Sequence, residues 1–194
     1  MSVTSSQTLT KTNFASLLQV ARQAISDYLA DGIAKPPSLN NYPAPLREFG
    51  ACFVTLTVAG ELQGCLGTLE ARTPLVLEVY NKAFASSHQD HRFTPLIAEQ
   101  LGQLCIEISV LTKPVPLTLG AETDLYHYLS QHKCGVILSD AGRRAVFLPQ
   151  VWQQLPTPEQ FIAHLKQKAG WHTEYWSDTM QVSTFEVESE EAHY

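Results

Sequence analysis

The segment Leu62-Gln63-Gly64-Cys65-Leu66-Gly67-Thr68 sets a thiol inside a strand-like stretch, with Gly64 directly before it and Gly67 two residues after. Glycine weakens a strand interior, so two this close mark a place where another backbone or a ligand comes near, and both are candidate ligand-binding positions. Cys65 is the candidate catalytic group, as a nucleophile or a thiol relay. Such a role needs a nearby positive charge or helix N-terminus, because a free thiol ionises only near pH 8.5 or so, about 8.5 being its ordinary pKa. The competing reading makes Cys65 a small apolar filler in a tight hairpin, since free cysteine is among the most buried residue types. Cys52, Cys105 and Cys134 sit in apolar strand contexts without paired glycines and read as packing residues.

A second polar segment, Asp90-His91-Arg92-Phe93, follows a helical stretch and lies next to His88. Asp90 can cap backbone donors while Arg92 reaches outward to a substrate carboxylate or to Cys65, with Phe93 as an aromatic anchor. His88 and His91 are the candidate bases for the thiol. The alternative is a self-contained Asp–Arg turn with Phe93 in the core. His88, Asp90 and His91 carry metal-ligand atoms, but no further ligand set with a known spacing accompanies them, so no metal or other cofactor is expected. Gln150 is a third substrate-binding candidate, placed where a strand ends at Pro149 and turns toward a helix. Trp152, Trp171 and Trp176 read as packing residues. Lys133, Arg143 and Arg144 read as a solvated hairpin rim. The phosphate-cradling Walker loop, the dinucleotide G-x-G-x-x-G turn, H-E-x-x-H and G-x-S-x-G are all absent from the sequence.

These segments need a scaffold, and hydrophobic periodicity supplies it. Residues 14–29 repeat apolar positions at helical spacing, with Asn13 as a cap and Gly32 as a stop. The proline-rich stretch 35–45 runs extended. Residues 49–58 and 62–69, joined by Ala59-Gly60-Glu61, form a hairpin that carries Cys65. Thr73 as N-cap and Pro74 at the first helical position open a helix over 75–87, ending just before the polar loop. A short helix near 95–101 leads into a strand over 104–111. Further on, 121–131 and 158–169 read as helices, 135–138, 144–148 and 180–187 as strands. Strands in adjacent pairs between helices predict an α+β fold with a mostly antiparallel sheet flanked by helices.

The chain has 194 residues, of which 44% are hydrophobic and 16% charged, enough for one well-buried core. A net charge of −6 and the lack of a Lys/Arg run argue against a nucleic-acid partner. No apolar run is long enough to span a bilayer, and residues 1–11 lack the apolar core of a signal peptide, so no membrane partner and a cytoplasmic location are expected. Four widely spaced cysteines without a C-x-x-C pair read as reduced thiols. The expected organisation is a single domain over 11–188, with flexible termini at 1–10 and 189–194, the acidic run from Glu186 to Glu191 being a solvated tail.

Taken together, the motifs resemble the AMMECR1 family, in the form found in AmmeMemoRadiSam systems. The family's L-R-G-C-I-G-T corresponds to Leu62–Thr68 here, its D-P-R-F to Asp90–Phe93, its G-x-F-L-P-Q-V to Ala145–Val151, and its K-A-G to Lys168-Ala169-Gly170. The resemblance covers nearly the whole chain. It implies two subdomains around an antiparallel sheet and a functional surface that includes the glycine-flanked cysteine. It also implies a modification pathway shared with a Memo-like protein and a radical SAM protein, in which this chain is an accessory component or binds a small-molecule ligand. A cysteine-dependent enzyme using Cys65 is the alternative. The chain departs from the family pattern at Gln63, which replaces an arginine, and at His91, which replaces a proline.

Overall fold

The first helix is capped by Thr10, whose hydroxyl accepts from the Asn13 N–H while the Asn13 side chain accepts from the Thr10 N–H. In this computed structural model, which describes residues 9–194, that capping box opens α1 (Lys11–Asp31). Asn13 is therefore the third helical residue and not the cap itself. The helix stops at Gly32, in the left-handed region with φ of 68°. The expected flexibility of residues 1–8 lies outside the described residues. Leu9 and Thr10 are tied down, the Leu9 N–H donating to Glu188.

The chain continues through α2 (Ala44–Arg47), β1 (Phe49–Val58), β2 (Glu61–Gly67), β3 (Thr73–Pro74), α3 (Leu75–His88) and β4 (Leu104–Leu111). It then runs through β5 (Val115–Leu117), α4 (Glu122–Gln131), β6 (Gly135–Asp140), β7 (Arg143–Phe147), α5 (Pro158–Lys168) and β8 (Gln181–Phe185), and ends in β9 (Val187–His193). These elements form an α+β fold in two units, one made of the chain up to Thr112 with Glu188–Tyr194, the other Lys113–Val187.

In the first unit the sheet order is β2-β1-β4-β9, with β3 also paired to β1. Ala59 and Gly60 both take positive φ, 52° and 85°, the conformation whose twist matches a two-residue hairpin between β1 and β2. One sheet face, with Val54, Leu56, Ile106 and Ile108, is sealed against Leu17, Ala21 and Ile25 of α1 and Val76, Val79 and Tyr80 of α3. Thr73 does not cap α3. It pairs with Gly50 in β3, and the first free N–H of the helix, on Leu75, is satisfied by the Glu48 carbonyl at 2.8 Å. The short helix expected near 95–101 is a 3-10 turn, Ala98–Gln103.

The C-terminal segment corrects the expectation of a loose acidic tail. Residues 187–193 are a strand: Ser189 bonds Ser109 of β4, the Tyr194 N–H donates to the Leu104 carbonyl, and Ala192 packs on the core. A charge run signals solvent exposure, but here Glu188, Glu190 and Glu191 lie along the outermost strand of the sheet, where charge deters pairing with another chain. The strand expected over 180–187 is β8, and β9 follows it directly in a different sheet.

The second unit has the sheet order β5-β8-β6-β7, covered by α4 and α5 through Leu125, Leu129, Phe161, Ile162 and Leu165. Trp152 is a packing residue, stacked on Phe161 at 3.8 Å and donating its indole N–H to the Cys134 carbonyl. Trp171 stacks on Tyr175. The basic residues here are not a loose rim: the Lys133 ammonium lies 4.0 Å from the Trp152 ring and Arg143 donates to the Gly170 carbonyl. Lys166 is fully buried, its ammonium bonded to Glu122 at 2.5 Å and to the Thr173 carbonyl at 2.8 Å. Asp140 accepts from the hydroxyls of Ser177, Tyr175 and Thr179, which hold its carboxyl down at about 2.

Candidate functional site

Strand β2 is an outer strand, so the backbone groups on its free side need partners from outside the sheet. Cys65 faces Thr55 of β1 in register, and the Thr55 hydroxyl lies 3.2 Å from the Cys65 sulfur. The glycines on either side have separate steric causes. A Cβ on Gly64 would stand 2.2 Å from the Ser86 carbonyl oxygen, and one on Gly67 would stand 2.3 Å from the Phe53 ring. Both positions exclude a side chain because protein already fills the space, so the close approach read from the sequence is protein against protein. The Ser86 hydroxyl accepts from the Leu66 N–H at 3.0 Å and donates to the Val54 carbonyl at 2.9 Å. Leu66 and Val54 are register partners, so a helix side chain bridges the two strands beside the thiol.

The polar loop completes this edge. Asp90, 6% exposed, accepts from the Cys65 N–H at 2.9 Å, while Arg92 donates to the Cys65 carbonyl at 3.2 Å. Arg92 also grips Asp90 twice, Nε to Oδ1 at 2.9 Å and Nη2 to Oδ2 at 2.7 Å. Two residues of one turn therefore satisfy both backbone groups of Cys65. The Arg92 guanidinium, helped by the backbone N–H groups of Cys65 and Arg92, holds the Asp90 carboxyl well below the usual carboxylate range. The Arg92 side chain keeps 61% of its surface exposed and lies 5.2 Å from the Phe93 ring.

The structure thus brings Cys65, Gly64, Gly67, Asp90 and Arg92 together. His88 stands apart in character: its ring stacks on Tyr28 at 4.3 Å and meets the edge of Phe84 at 4.7 Å, as an aromatic packing residue. His91 is exposed in the turn. Gln150 belongs to the second unit, exposed in the 3-10 turn Pro149–Gln153. Gln63 is a lock, donating to the Thr94 carbonyl at 2.6 Å. Among the described residues no three His, Cys, Asp or Glu side chains gather as a metal site, and no helix is long and apolar enough to cross a membrane.

Thr55 and Ser86 were not marked by any local pattern. A strand-alternation argument could have placed Thr55 on the Cys65 face, but only the β1–β2 register makes them partners.

Comparison with known proteins places this arrangement. The AMMECR1 family model matches residues 18–189. A protein of Thermofilum pendens is 31% identical over 178 residues, covering 84% of this chain and 81% of its own. Protein MJ0810 of Methanocaldococcus jannaschii is 29% identical over 189 residues, covering 93% and 90%. The crystal structure of the uncharacterized protein PH0010 from Pyrococcus horikoshii is similar at a TM-score of 0.70 and 31% identity, over 92% of this chain and 90% of that one.

Proposed function

The chain belongs to the AMMECR1 family, and from that premise we propose that it is an accessory, substrate-binding component acting with Memo-like and radical SAM proteins in a cytoplasmic modification pathway. The observation that carries the binding role is Arg92. Its guanidinium is fixed by Asp90 on one side yet largely exposed on the other, directly beside Cys65. A guanidinium oriented in advance loses little further freedom on meeting a carboxylate or phosphate. Arg92 holds the anionic part of a small ligand, and Cys65 lies under its uncharged part.

Two measurements test this reading. Iodoacetate and iodoacetamide differ by one negative charge, so their relative rates of alkylation at Cys65 report on Arg92. The charged reagent gains in the wild type and loses that gain in Arg92→Gln. Equal ratios in the two proteins remove Arg92 from the site. Co-purification with the Memo-like and radical SAM proteins tests the pathway role separately, and its absence under mild lysis removes the partners from the reading.

The alternative reading, a cysteine-dependent enzyme with Cys65 as nucleophile or thiol relay, draws support from the Thr55 hydroxyl at the sulfur. The hydroxyl there fixes where the sulfur sits. His88 is committed to ring packing, which leaves the exposed His91 as the imidazole for that reading.

A further inference from the structure

The second face of the first sheet, turned away from α1 and α3, carries a row of functional groups that crosses three strands. Residues alternate faces along a strand, and Val54, Leu56, Ile106 and Ile108 occupy the helix-covered face. Thr55 and Glu107 therefore point the other way, as does Cys65, whose neighbour Gly64 abuts Ser86 of α3. The register aligns them: Thr55 pairs with Cys65 on one side and with Glu107 on the other. All three side chains are half-buried. Adjacent strands lie about 4.8 Å apart, so the Glu107 and Cys65 positions are separated by roughly 10 Å across β1.

The ends of this row differ in charge. Beyond Cys65 stands the exposed Arg92 guanidinium, bonded to the Cys65 carbonyl. At the other end is the Glu107 carboxylate, steadied by the hydroxyl of Ser109, a residue only 5% exposed that also bonds Ser189 of β9. Glu191 reinforces the negative end. With Glu107 it lies near Cys105, whose thiol is pushed up by burial first and then by these two carboxylates. The sequence along the row is cation, thiol, hydroxyl, carboxylate.

We propose that this row is an extended site for a zwitterionic small molecule, such as an ω-amino acid or a short peptide, whose anionic end meets Arg92 and whose ammonium end meets Glu107. The proposal rests on the anion-holding role of Arg92 given above and adds to it the second charged contact, made by a residue with no motif to announce it. The middle of the ligand crosses Cys65 and Thr55, so a bound ligand shields the sulfur.

Shielding supplies the test. Alkylation of Cys65 by iodoacetamide is followed peptide by peptide on the full chain, with added ω-amino acids of increasing length, and with alkanoates and alkylamines of matched length. The expected result is protection that rises with length and is strongest for amino acids able to span the row. Those should slow labelling roughly threefold more than the matched alkanoate, the scale of one exposed ion pair. In Glu107→Gln, which keeps an acceptor for Ser109, the amino acids should protect no better than the alkanoates. An unchanged melting temperature shows that this variant is folded. Equal protection by amino acid and alkanoate in the wild type overturns the dipolar site and leaves the Arg92 reading standing. No protection by either removes both.

Discussion

Each unit of the molecule holds a carboxylate–cation pair, and the two pairs are built for different ends. Lys166 and Glu122 sit where the ammonium has no exposure at all, and the Thr173 carbonyl takes a further ammonium proton. Every interaction of that ammonium is used to hold α5, α4 and the segment after α5 together. Arg92 and Asp90 divide the labour: the carboxylate is buried and saturated, while most of the guanidinium faces solvent. A pair whose cation is fully enclosed contributes to folding alone, whereas a pair whose cation faces solvent leaves a charge already oriented for something else.

The largest expected difference between the two comes from removing one partner. Glu122→Ala strands a buried ammonium and should cost about 3–5 kcal/mol, read as a fall in the urea midpoint. Arg92→Ala also unpairs a buried carboxylate, but Asp90 keeps the backbone N–H groups of Cys65 and residue 92, so the cost should be smaller, and this substitution should in addition alter Cys65 labelling by charged reagents. If the two substitutions destabilise equally, the contrast between a folding pair and a poised pair is wrong.

Gly64→Ala ranks next. Its Cβ would meet a backbone oxygen at 2.2 Å, which no rotamer change relieves, so β2 or α3 must move at a cost of about 1–3 kcal/mol. Circular dichroism melting reads the loss. A fully stable Gly64→Ala protein would show that the hairpin is not pressed against α3.

Acid separates the carboxylates further. Asp90 and Asp140 both have folded pKa values below the unfolded carboxylate value of about 3.9, so each stabilises the fold fully above about pH 4 and loses that contribution as pH falls through its folded value. For Asp140 the window runs from about pH 4 down to about 2. Stability measured against pH should fall across it, and Asp140→Asn should flatten that limb. A limb unaltered by the substitution means that the three hydroxyls do not favour the ionised form.

The smallest effect is at Thr55. Thr55→Val should slow iodoacetamide labelling of Cys65 roughly threefold by removing the hydroxyl that positions the sulfur, and Thr55→Ser should restore it. Labelling in Thr55→Val that matches or exceeds the wild-type rate shows that the hydroxyl is only a neighbour.

Much of the scaffold was legible from the chain because its signals are local. The turn at Ala59-Gly60, the stop at Gly32 and the apolar periods of α1 and α3 depend on residues within a few positions of one another. The Cys65 segment and the Asp90–Arg92 turn were legible for the same reason. What escaped is what depends on distant pairing. β9 reads as a charged tail until its partner β4 is known, and Thr73 reads as a cap until Glu48 is seen to occupy the helix end. His88 carries no local mark of its stack on Tyr28, which is sixty residues earlier in the chain. Thr55 and Glu107 are ordinary strand residues until the register aligns them with Cys65.

The serine hydroxyl at position 86 ties the hairpin to the helix that leads into the arginine-bearing turn. Opening the first two strands at Leu66 must also release the end of that helix, so the thiol strand and the guanidinium loop form one mechanical body. Deuterium uptake at the Leu66 amide is therefore a direct gauge of how often the loop itself lets go.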